Sequence, residues 1–379
     1  MISTSSFIDR LTALGVDFFS GVPDSLLSSL SACIVDSFPK DRHIIAANEG
    51  AATALCAGYN LSTGRIGCTY MQNSGLGNAI NPLLSLCDGQ VYGIPVLLII
   101  GWRGEPGVHD EPQHAKQGGV TLSLLDACEI PHEILSTGEE EALVQVERAV
   151  EFMKEQSRPY ALVVRKGTFL KYESPLPGPS RGDEGLPLTR EDAIRVILEH
   201  LAPSDAVVST TGMASRELFE LRESRHEGHG RDFLTVGSMG HASQIALSIS
   251  LQKPHRRVVC LDGDGAAIMH MGSLAISGQN ARGNFLHIVL NNGAHESVGG
   301  QPTVGLDIDL PKVASAVGYP QVKSVRTEEE LSSALDLWRD APGACFLEVK
   351  VRKGHRPDLG RPTATPTQNK QSFTAFLQQ

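Results

Sequence analysis

Two short segments carry the side chains most suited to chemistry. Gly263-Asp264-Gly265 follows one apolar run, and Asn291-Asn292 ends another. A carboxylate, an amide oxygen and a nearby backbone carbonyl are hard ligands, which suit Mg²⁺ when its other ligands are water or phosphate. The glycines let the backbone approach a phosphate, and the amino terminus of a following helix favours an anion. The two segments therefore predict a site for Mg²⁺ and a phosphate group.

The spacing between the two segments supports this interpretation. Gly265 and Asn291 are separated by 25 residues, which is enough for a helix, a turn and a strand. In a parallel sheet the two strand ends then lie side by side, and ligands bind at that edge. We expect Asp264 and Asn292 to project from neighbouring strand ends. The alternative is an ordinary Gly-Asp-Gly turn and an unrelated pair of asparagines.

Short apolar runs alternate with helical patterns along the whole chain, which predicts parallel sheets with helices on both faces. The predicted helices are 7–14, 50–59, a helix from Arg190, a helix from Ser243, and 266–279. The predicted strands are 16–21, 44–46, 66–71, 96–100, 160–165, 206–209, 257–261, 286–291 and 345–351.

A break in composition divides this pattern into two halves. The segment "KYESPLPGPSRGDEGLPLTRED" has four prolines between Ser174 and Pro187, which is typical of a linker. We predict an α/β fold with a first domain at 1–170, a linker at 171–189 and a second domain at 190–379. Each half is about the size of one α/β domain.

The composition excludes several classes of protein. The chain has 379 residues, a formal net charge of -10 and a pI near 5.7. A nucleic-acid or membrane-surface protein needs a positive field, so neither is expected. The seven cysteines form no C-x-x-C pair, which favours reduced thiols in the cytoplasm. The amino-terminal segment lacks a basic region and a long apolar run, so we expect no signal peptide.

The Gly-Asp-Gly and Asn-Asn pair resembles the motif of thiamine diphosphate-dependent enzymes, in which the two parts lie about 25 residues apart. The resemblance implies thiamine diphosphate and Mg²⁺ as cofactors. It implies that Asp264, Asn292 and the carbonyl of Ala294 bind the metal. Gly263 and Gly265 would then lie beside the diphosphate.

Further segments resemble other parts of this family. In "HIIAANEGAATALCAGY", Glu49 matches the glutamate that activates the cofactor, and apolar surroundings favour its protonated form. The alternative is a first-turn glutamate that complements a helix dipole. In "TVGSMGHASQIALSIS", the resemblance implies that Met239 bends the cofactor and that the Gly237 carbonyl accepts a hydrogen bond from it. The alternative is a core methionine beside a tight turn.

The glycine loop "NSGLGN" resembles that of the family's pyrimidine-binding domain, which implies that Asn73 binds the cofactor and Asn78 the substrate. The first half would be that domain, and the second half would be the diphosphate-binding domain. The middle domain of larger decarboxylases is missing from this pattern. In the family the site lies between domains of two subunits, so we expect a homo-oligomer of at least two chains.

Longer segments narrow the resemblance to the phosphonopyruvate decarboxylases of this family. They are "GVPDSLL", "MQNSGLGNAINPLLSL", "GWRGEPGVHDEPQHAKQG", "LNNGAHESVGGQPT" and "DLGRPTATPTQNK". The resemblance implies conversion of 3-phosphonopyruvate to phosphonoacetaldehyde and CO₂ in phosphonate biosynthesis. Sulfopyruvate decarboxylases, or a broader carboligase, are the alternative. Because archaeal sulfopyruvate decarboxylases have the two halves as separate subunits, we expect a fused chain to favour the phosphonate enzyme.

A substrate of this kind carries a distal anionic group that needs cations or amide donors. Arg103, His109, His114 and Lys116 lie in one charged loop after the apolar run 96–100 and are the candidates, with His114 also a candidate for proton transfer. The alternative is a solvated loop whose charges pair with its own acidic residues. His295 and Glu296, just after the metal asparagine, are further candidates for proton transfer.

A different class of function is a nucleotide-binding or scaffold protein with a chance Gly-Asp-Gly. The chain has no Walker lysine motif and no full G-x-G-x-x-G after a first strand, which makes a nucleotide site less favoured. Such a protein would not bind thiamine diphosphate with or without Mg²⁺.

Overall fold

The computed structural model describes residues 1–174 and 185–379. The first compact unit contains the described residues up to 174 and Val298–Gln301, and the second contains the other residues from 185 onward. Most of the predicted linker 171–189 lies outside the described residues, so the proposed domain boundaries stay a prediction. Within the described ranges, no helix is long and apolar enough to cross a membrane.

The first unit is built on a parallel sheet whose strands, in the described residues, have the order β2-β1-β3-β4-β6-β5. Its inner strands are buried along nearly their whole length, as expected for a parallel sheet covered by helices on both faces. The strands are β1 (Val16–Gly21), β2 (His43–Ile45), β3 (Ile66–Gln72), β4 (Val96–Gly101), β5 (His132–Ile134) and β6 (Tyr160–Val164).

A capped helix end positions Glu49 in the first unit. The side chain of Asn48 accepts a hydrogen bond from the Ala51 amide at 2.9 Å, so Glu49 is the first helical residue after β2. A 3₁₀ turn, Asn73–Gly75, follows β3, and a π-helical turn, Leu83–Cys87, follows α4. The helices are α1 (Thr4–Ala13), α2 (Ser28–Ser37), α3 (Glu49–Thr63), α4 (Leu76–Pro82), α5 (Pro112–Ala127) and α6 (Glu139–Gln156).

The second unit has a parallel sheet with the order β8-β7-β9-β10-β14-β13 in the described residues. Two-residue strands, β11 (Ala294–His295) and β12 (Gln301–Pro302), follow β10. The sheet strands are β7 (Ala206–Ser209), β8 (Asp232–Leu234), β9 (Val258–Gly263), β10 (Phe285–Asn291), β13 (Gln321–Val325) and β14 (Cys345–Lys350).

Apolar clusters on both faces of this sheet are formed with the helices of the second unit. These helices are α7 (Arg190–Glu199), α8 (Met213–Ser224), α9 (Ala242–Gln252), α10 (Asp264–Met269), α11 (Gly272–Asn280), α12 (Leu310–Ala316), α13 (Glu328–Leu337) and α14 (Pro366–Leu377).

The two sheets share one topology. Counted from its own first strand, each described sheet has the order 2-1-3-4-6-5. The order changes direction between the first and third strands, which are β1 and β3 in one unit and β7 and β9 in the other. Ligands of open α/β sheets bind at the carboxyl ends of strands beside such a switch point. The structure therefore directs attention to the residues that follow these strands.

The predicted α/β fold with two mainly parallel sheets is confirmed. The predicted single helix 266–279 is wrong, because His270 has a non-helical backbone (φ -128, ψ 48) and separates α10 from α11. The strands β5, β8 and β13 were not predicted from the sequence. They are short or half-buried edge strands, so they lack the long apolar run that marks an inner strand.

Candidate active site

The site of the second unit begins where β9 and β10 end. Gly263 is the last residue of β9 and pairs in register with Leu290 of the neighbouring parallel strand. Asp264 then begins α10, and Asn292 directly follows β10. Their exposed fractions are only 2% and 4%. The predicted pair of ligands thus lies buried at neighbouring strand ends.

The carboxyl group of Asp264 is buried and hydrogen-bonded. Burial raises its pKa to about 6, although hydrogen bonds from the Thr303 hydroxyl and from backbone amides, including that of Gly265, oppose the increase. Thr303 donates to Oδ2 of Asp264 and is itself held by the amide of Gly305 at 3.1 Å. A Cβ added to Gly305 would lie 2.6 Å from the same oxygen. The packing leaves the carboxylate costly to keep charged unless a positive ion is nearby.

The two asparagines have different tasks. The Nδ2 of Asn291 donates to the Gly305 carbonyl and to Glu348, each at 2.7 Å, so this side chain ties the loop to the sheet. Asn292 donates from Nδ2 to Glu296 at 2.8 Å, and its Oδ1 accepts from the Ala294 amide at 3.1 Å. The three predicted ligands, which are a carboxylate, an amide oxygen and a backbone carbonyl, are all hard oxygen donors of the kind that Mg²⁺ prefers.

Gly265 lies against two more predicted site residues. A Cβ built on it would lie 3.0 Å from Cε1 of His295 and 3.4 Å from Cε of Met239. The turn before Met239 is strained, because Ser238 has a positive φ of 52°. Burial lowers the pKa of His295 to about 4, so its ring is neutral near pH 7. Met239 and His295 thus line the turn at which a phosphate is expected, and Gly237 is half-buried in the same segment as Met239.

A series of hydrogen-bonded, buried polar side chains supports the Gly-Asp-Gly turn from within the core. Oδ1 of Asp262 accepts from the Gly263 amide at 3.0 Å, and Oδ2 lies 3.3 Å from Nε2 of His287. The other ring nitrogen of His287 lies 3.2 Å from the Tyr319 hydroxyl. Cys260 completes a cluster whose ligand atoms lie within 4.8 Å of each other, but Asp262 and His287 already have partners in the core. In the sequence, this support is indicated by Asp262, which is a charged residue inside the otherwise apolar strand β9.

Glu49 is the central side chain of the first unit's strand-end cluster. It is 5% exposed, and its Oε2 accepts from Nδ2 of Asn78 at 2.7 Å. A Cβ on Gly75 would collide with its carboxyl group, so the glycine loop packs directly against it. The structure therefore brings together the predicted Glu49 and the loop Asn73 to Asn78.

Asn73 has its amide group fully engaged by the protein. Nδ2 donates to the Arg103 carbonyl at 2.9 Å and to the Thr121 hydroxyl at 2.8 Å. Oδ1 accepts from the Arg103 amide at 3.1 Å. The side chain thus fixes the loop after β4. The expectation that Asn73 binds cofactor stays a prediction.

The charged loop after β4 forms an internal ion-pair cluster. Arg103 binds Asp110 through Nε at 2.8 Å and Nη2 at 2.5 Å, and donates to the Ser25 hydroxyl at 2.6 Å. Nδ1 of His114 lies 2.9 Å from Asp110. Burial lowers the pKa of His114 more than Asp110 raises it. Arg103 and His114 thus share the Asp110 carboxylate. The expectation of one charged loop is wrong for His114 and Lys116, because Pro112 starts α5 and both residues lie on that helix.

The other two predicted cations, His109 and Lys116, are exposed. They lie outside the hydrogen bonds that join the other two members to Asp110. Arg103 is half-buried and His114 is buried, whereas His109 and Lys116 face the solvent.

Asp24 is a candidate that the sequence interpretation missed. It follows β1 and is fully buried; Oδ2 accepts from the Leu26 amide at 3.0 Å. Its Oδ1 has no hydrogen-bond partner among the described residues. Burial raises its pKa to about 6, against the attraction of Arg103. Its signal was the acidic residue in "GVPDSLL" at the end of a first strand.

Comparison with known proteins identifies both halves of the chain. Residues 3–127 match the family described as "Thiamine pyrophosphate enzyme, N-terminal TPP binding domain". Residues 210–349 match "Thiamine pyrophosphate enzyme, C-terminal TPP binding domain". Asp264 and Asn292 lie in the second match, and Glu49 lies in the first.

Whole-chain relatives carry the same two halves. A phosphonopyruvate decarboxylase of Streptomyces viridochromogenes is 37% identical over 100% of this chain and 95% of its own length. One from Streptomyces hygroscopicus is 37% identical over 99% and 94%. A sulfopyruvate decarboxylase of Methanosarcina acetivorans is 27% identical over 92% and 91%.

The Methanosarcina acetivorans relative corrects the expectation that a fused chain favours the phosphonate enzyme. Sulfopyruvate decarboxylase subunits beta and alpha, as in Methanocaldococcus jannaschii, do match separate parts of this chain. The Methanosarcina acetivorans protein, however, spans both halves in one chain. A fused chain therefore does not distinguish phosphonate from sulfonate enzymes.

Proposed function

Because the chain belongs to the thiamine pyrophosphate enzymes, we propose that it converts 3-phosphonopyruvate to phosphonoacetaldehyde and CO₂ with thiamine diphosphate and Mg²⁺. The observation that carries the proposal is 37% identity over essentially the whole length of two phosphonopyruvate decarboxylases. The single-chain sulfopyruvate decarboxylase is more distant, at 27% identity. The product would enter phosphonate biosynthesis, including that of antibiotics.

The cofactor assignment follows the donor set of the second unit. Asp264, Asn292 and the Ala294 carbonyl would hold Mg²⁺, since a buried carboxylate with a raised pKa needs a cation. Gly263 and Gly265 would lie beside the diphosphate at the start of α10. Gly237 and Met239 would contact the rings of the cofactor. When bound, thiamine diphosphate supplies the carbon nucleophile and the electron sink for decarboxylation.

The chain's own residues would then manage protons. The Glu49 carboxyl, held by Asn78 and the glycine loop, would exchange a proton with the pyrimidine ring. His295 is neutral near pH 7 because burial lowers its pKa, so its ring is a weak base that would pass a proton on without retaining it. His114 and the buried Asp24 would serve proton transfer in the first unit, where the carboxyl of Asp24 holds its proton up to about pH 6.

The distal phosphonate would be held by the loop after β4. Arg103 and His114 already share Asp110, so they provide oriented donors more than net charge. The exposed Lys116 would add positive charge, and His109 and Asn78 would add hydrogen-bond donors. We also propose a cytoplasmic homo-oligomer with sites formed between subunits; the seven cysteines, all free, agree with a reducing compartment.

The decisive experiment is aldehyde production by the purified chain with thiamine diphosphate and Mg²⁺. The substrates are 3-phosphonopyruvate, 3-sulfopyruvate and pyruvate, assayed side by side. A large preference in kcat/KM for phosphonopyruvate is expected. Turnover of sulfopyruvate alone would move the chain to sulfonate metabolism and overturn the substrate assignment.

A scaffold or nucleotide-binding role makes a different prediction. It requires that calorimetry detect no thiamine diphosphate binding, whether or not Mg²⁺ is added. Bound cofactor without aldehyde from any of the three acids would retain the cofactor assignment and refute the proposed reaction. Because binding and turnover are measured separately, the two failures are distinguishable.

A further inference from the structure

We propose that Glu296 is a positioning residue that sets the orientation of the Asn292 amide, and that a buried Arg190–Glu217 pair holds Glu296 in place. The inference rests on the proposed Mg²⁺ site. It concerns how the protein makes Asn292 an oxygen ligand, which the motif alone does not explain.

An asparagine can bind a cation through only one end of its amide. Its oxygen and nitrogen ends have nearly the same shape, so the neighbours of the amide must decide which end faces the ion. The Nδ2 of Asn292 donates to Oε2 of Glu296 at 2.8 Å. A carboxylate accepts hydrogen bonds and has none to donate, so it binds the nitrogen end and turns Oδ1 away from itself.

Glu296 is held in turn by a guanidinium group. Nη1 of Arg190 donates to Oε2 of Glu296 at 2.6 Å. The other side of the guanidinium binds Glu217 through Nε at 2.6 Å and Nη2 at 2.8 Å. Arg190 is 6% exposed and Glu217 is 1% exposed, so both are largely shielded from water. Such a two-point pair fixes the plane of the guanidinium and hence the position of the carboxylate that it binds.

The network joins three elements around one ligand. Arg190 is the first residue of α7, Glu217 lies on α8, and Glu296 follows β11. The remaining oxygen of Glu296, Oε1, lies 3.1 Å from Nδ1 of His355. Both oxygens of the carboxylate are therefore engaged, which favours a fixed orienting role over the proton transfer expected from its position in sequence.

The size of the effect can be estimated from other metal sites. Outer partners that orient metal ligands typically change metal affinity by roughly 10–100-fold when they are removed. In Glu296→Ala the Asn292 amide loses the acceptor that selects its nitrogen end, and among the described residues only the Ala294 amide, which donates to Oδ1 at 3.1 Å, still orients it. We expect the Mg²⁺ concentration that half-saturates thiamine diphosphate binding to rise by a factor in that range.

The test uses the full-length apoprotein and calorimetric titration with thiamine diphosphate at a series of Mg²⁺ concentrations. Glu296→Gln keeps an acceptor oxygen for Asn292 and should show a smaller rise than Glu296→Ala. The control is Glu191→Gln, which removes a neighbouring charge that pairs with Arg356 at 3.0 Å. The control should leave the Mg²⁺ requirement unchanged.

Three results would overturn the proposal. They are an unchanged Mg²⁺ requirement in Glu296→Ala, an equal rise in Glu191→Gln, and an equal rise in Glu296→Gln, which would assign the effect to charge. If Glu296→Ala does not fold, Glu217→Gln replaces it and should raise the requirement by a smaller factor; no rise there would also refute the proposal. If the wild-type protein binds cofactor without any need for Mg²⁺, the proposed metal site fails first.

Discussion

The carboxyl group of Asp264 should make the metal-free protein less stable at neutral pH than an amide would. Burial raises its pKa from 3.8 to about 6. This increase corresponds to about 3 kcal/mol of free energy between the two protonation states. Asp264→Asn removes this titration while keeping an oxygen that can accept from Thr303. We expect the variant to be more stable above pH 6 in the absence of metal.

The direction of the pH dependence follows from the raised pKa. The folded protein binds the proton more tightly than the unfolded chain, so the group stabilises the fold fully below about pH 4. This stabilisation is lost as the pH rises through about 6. Relative to a residue that does not titrate, Asp264 lowers the free energy of unfolding by about 1.5 kcal/mol at pH 5 and by about 3 kcal/mol at pH 8. The advantage of Asp264→Asn should therefore grow between these two values.

Denaturant unfolding of the metal-free chain at pH 5 and pH 8 measures this difference. The control is Asp307→Asn, which removes an equal charge from an exposed position in the same unit. The same Asp264→Asn protein should lose Mg²⁺-dependent binding of thiamine diphosphate, since the cation loses its charged ligand. Destabilisation of Asp264→Asn at pH 8, or an equal effect of the control, would refute the reasoning. A stable variant without cofactor binding would show a site that trades stability for function.

The remaining predictions concern the first unit. Glu49→Gln keeps a partner for Asn78 and should bind cofactor normally, but its turnover should fall by about 10²–10⁴-fold in steady-state assays; near-normal turnover would mean that another group activates the cofactor. Gly75→Ala should push the Glu49 carboxyl aside and lower kcat, whereas Gly58→Ala, where a Cβ meets nothing within 4 Å, should leave kcat unchanged. In Asp24→Asn, a titration near pH 6 in the wild-type profile of kcat should disappear; a profile that keeps it assigns that titration elsewhere.

The residues at strand ends were the most predictable part of the molecule. Asp264 and Asn292 were recognisable because a fixed spacing of apolar run, turn, helix and apolar run has few other solutions in a parallel sheet. Glu49 was recognisable because it separates a strand from an alanine-rich helix. In each case the local sequence fixes both the element and its end, so the position of the side chain follows.

The partners of these residues were less predictable because they come from distant segments. Nothing near Asn292 in sequence indicates Arg190 or Glu217, which lie about 100 and 75 positions earlier. Arg190 reaches Glu296, and Glu217 holds Arg190, only because α7 and α8 pack together. The same holds for the pairing of Arg103. A loop rich in both charges is compatible with an anion site and with internal ion pairs, and only the observed contact with Asp110 shows that the pairs form.

Asp24 and Asp264 show why burial alone does not assign a role. Both are almost inaccessible, and burial raises both pKa values to about 6. Asp264 shares its strand end with amide and carbonyl oxygens, which can take up a cation together with it. Asp24 instead lies near the Arg103 guanidinium and has one oxygen without a partner in the described chain, so a second positive ion there would meet repulsion. The same shift therefore favours a metal ligand in one unit and a proton-holding acid in the other, and the difference resides in the neighbouring donors.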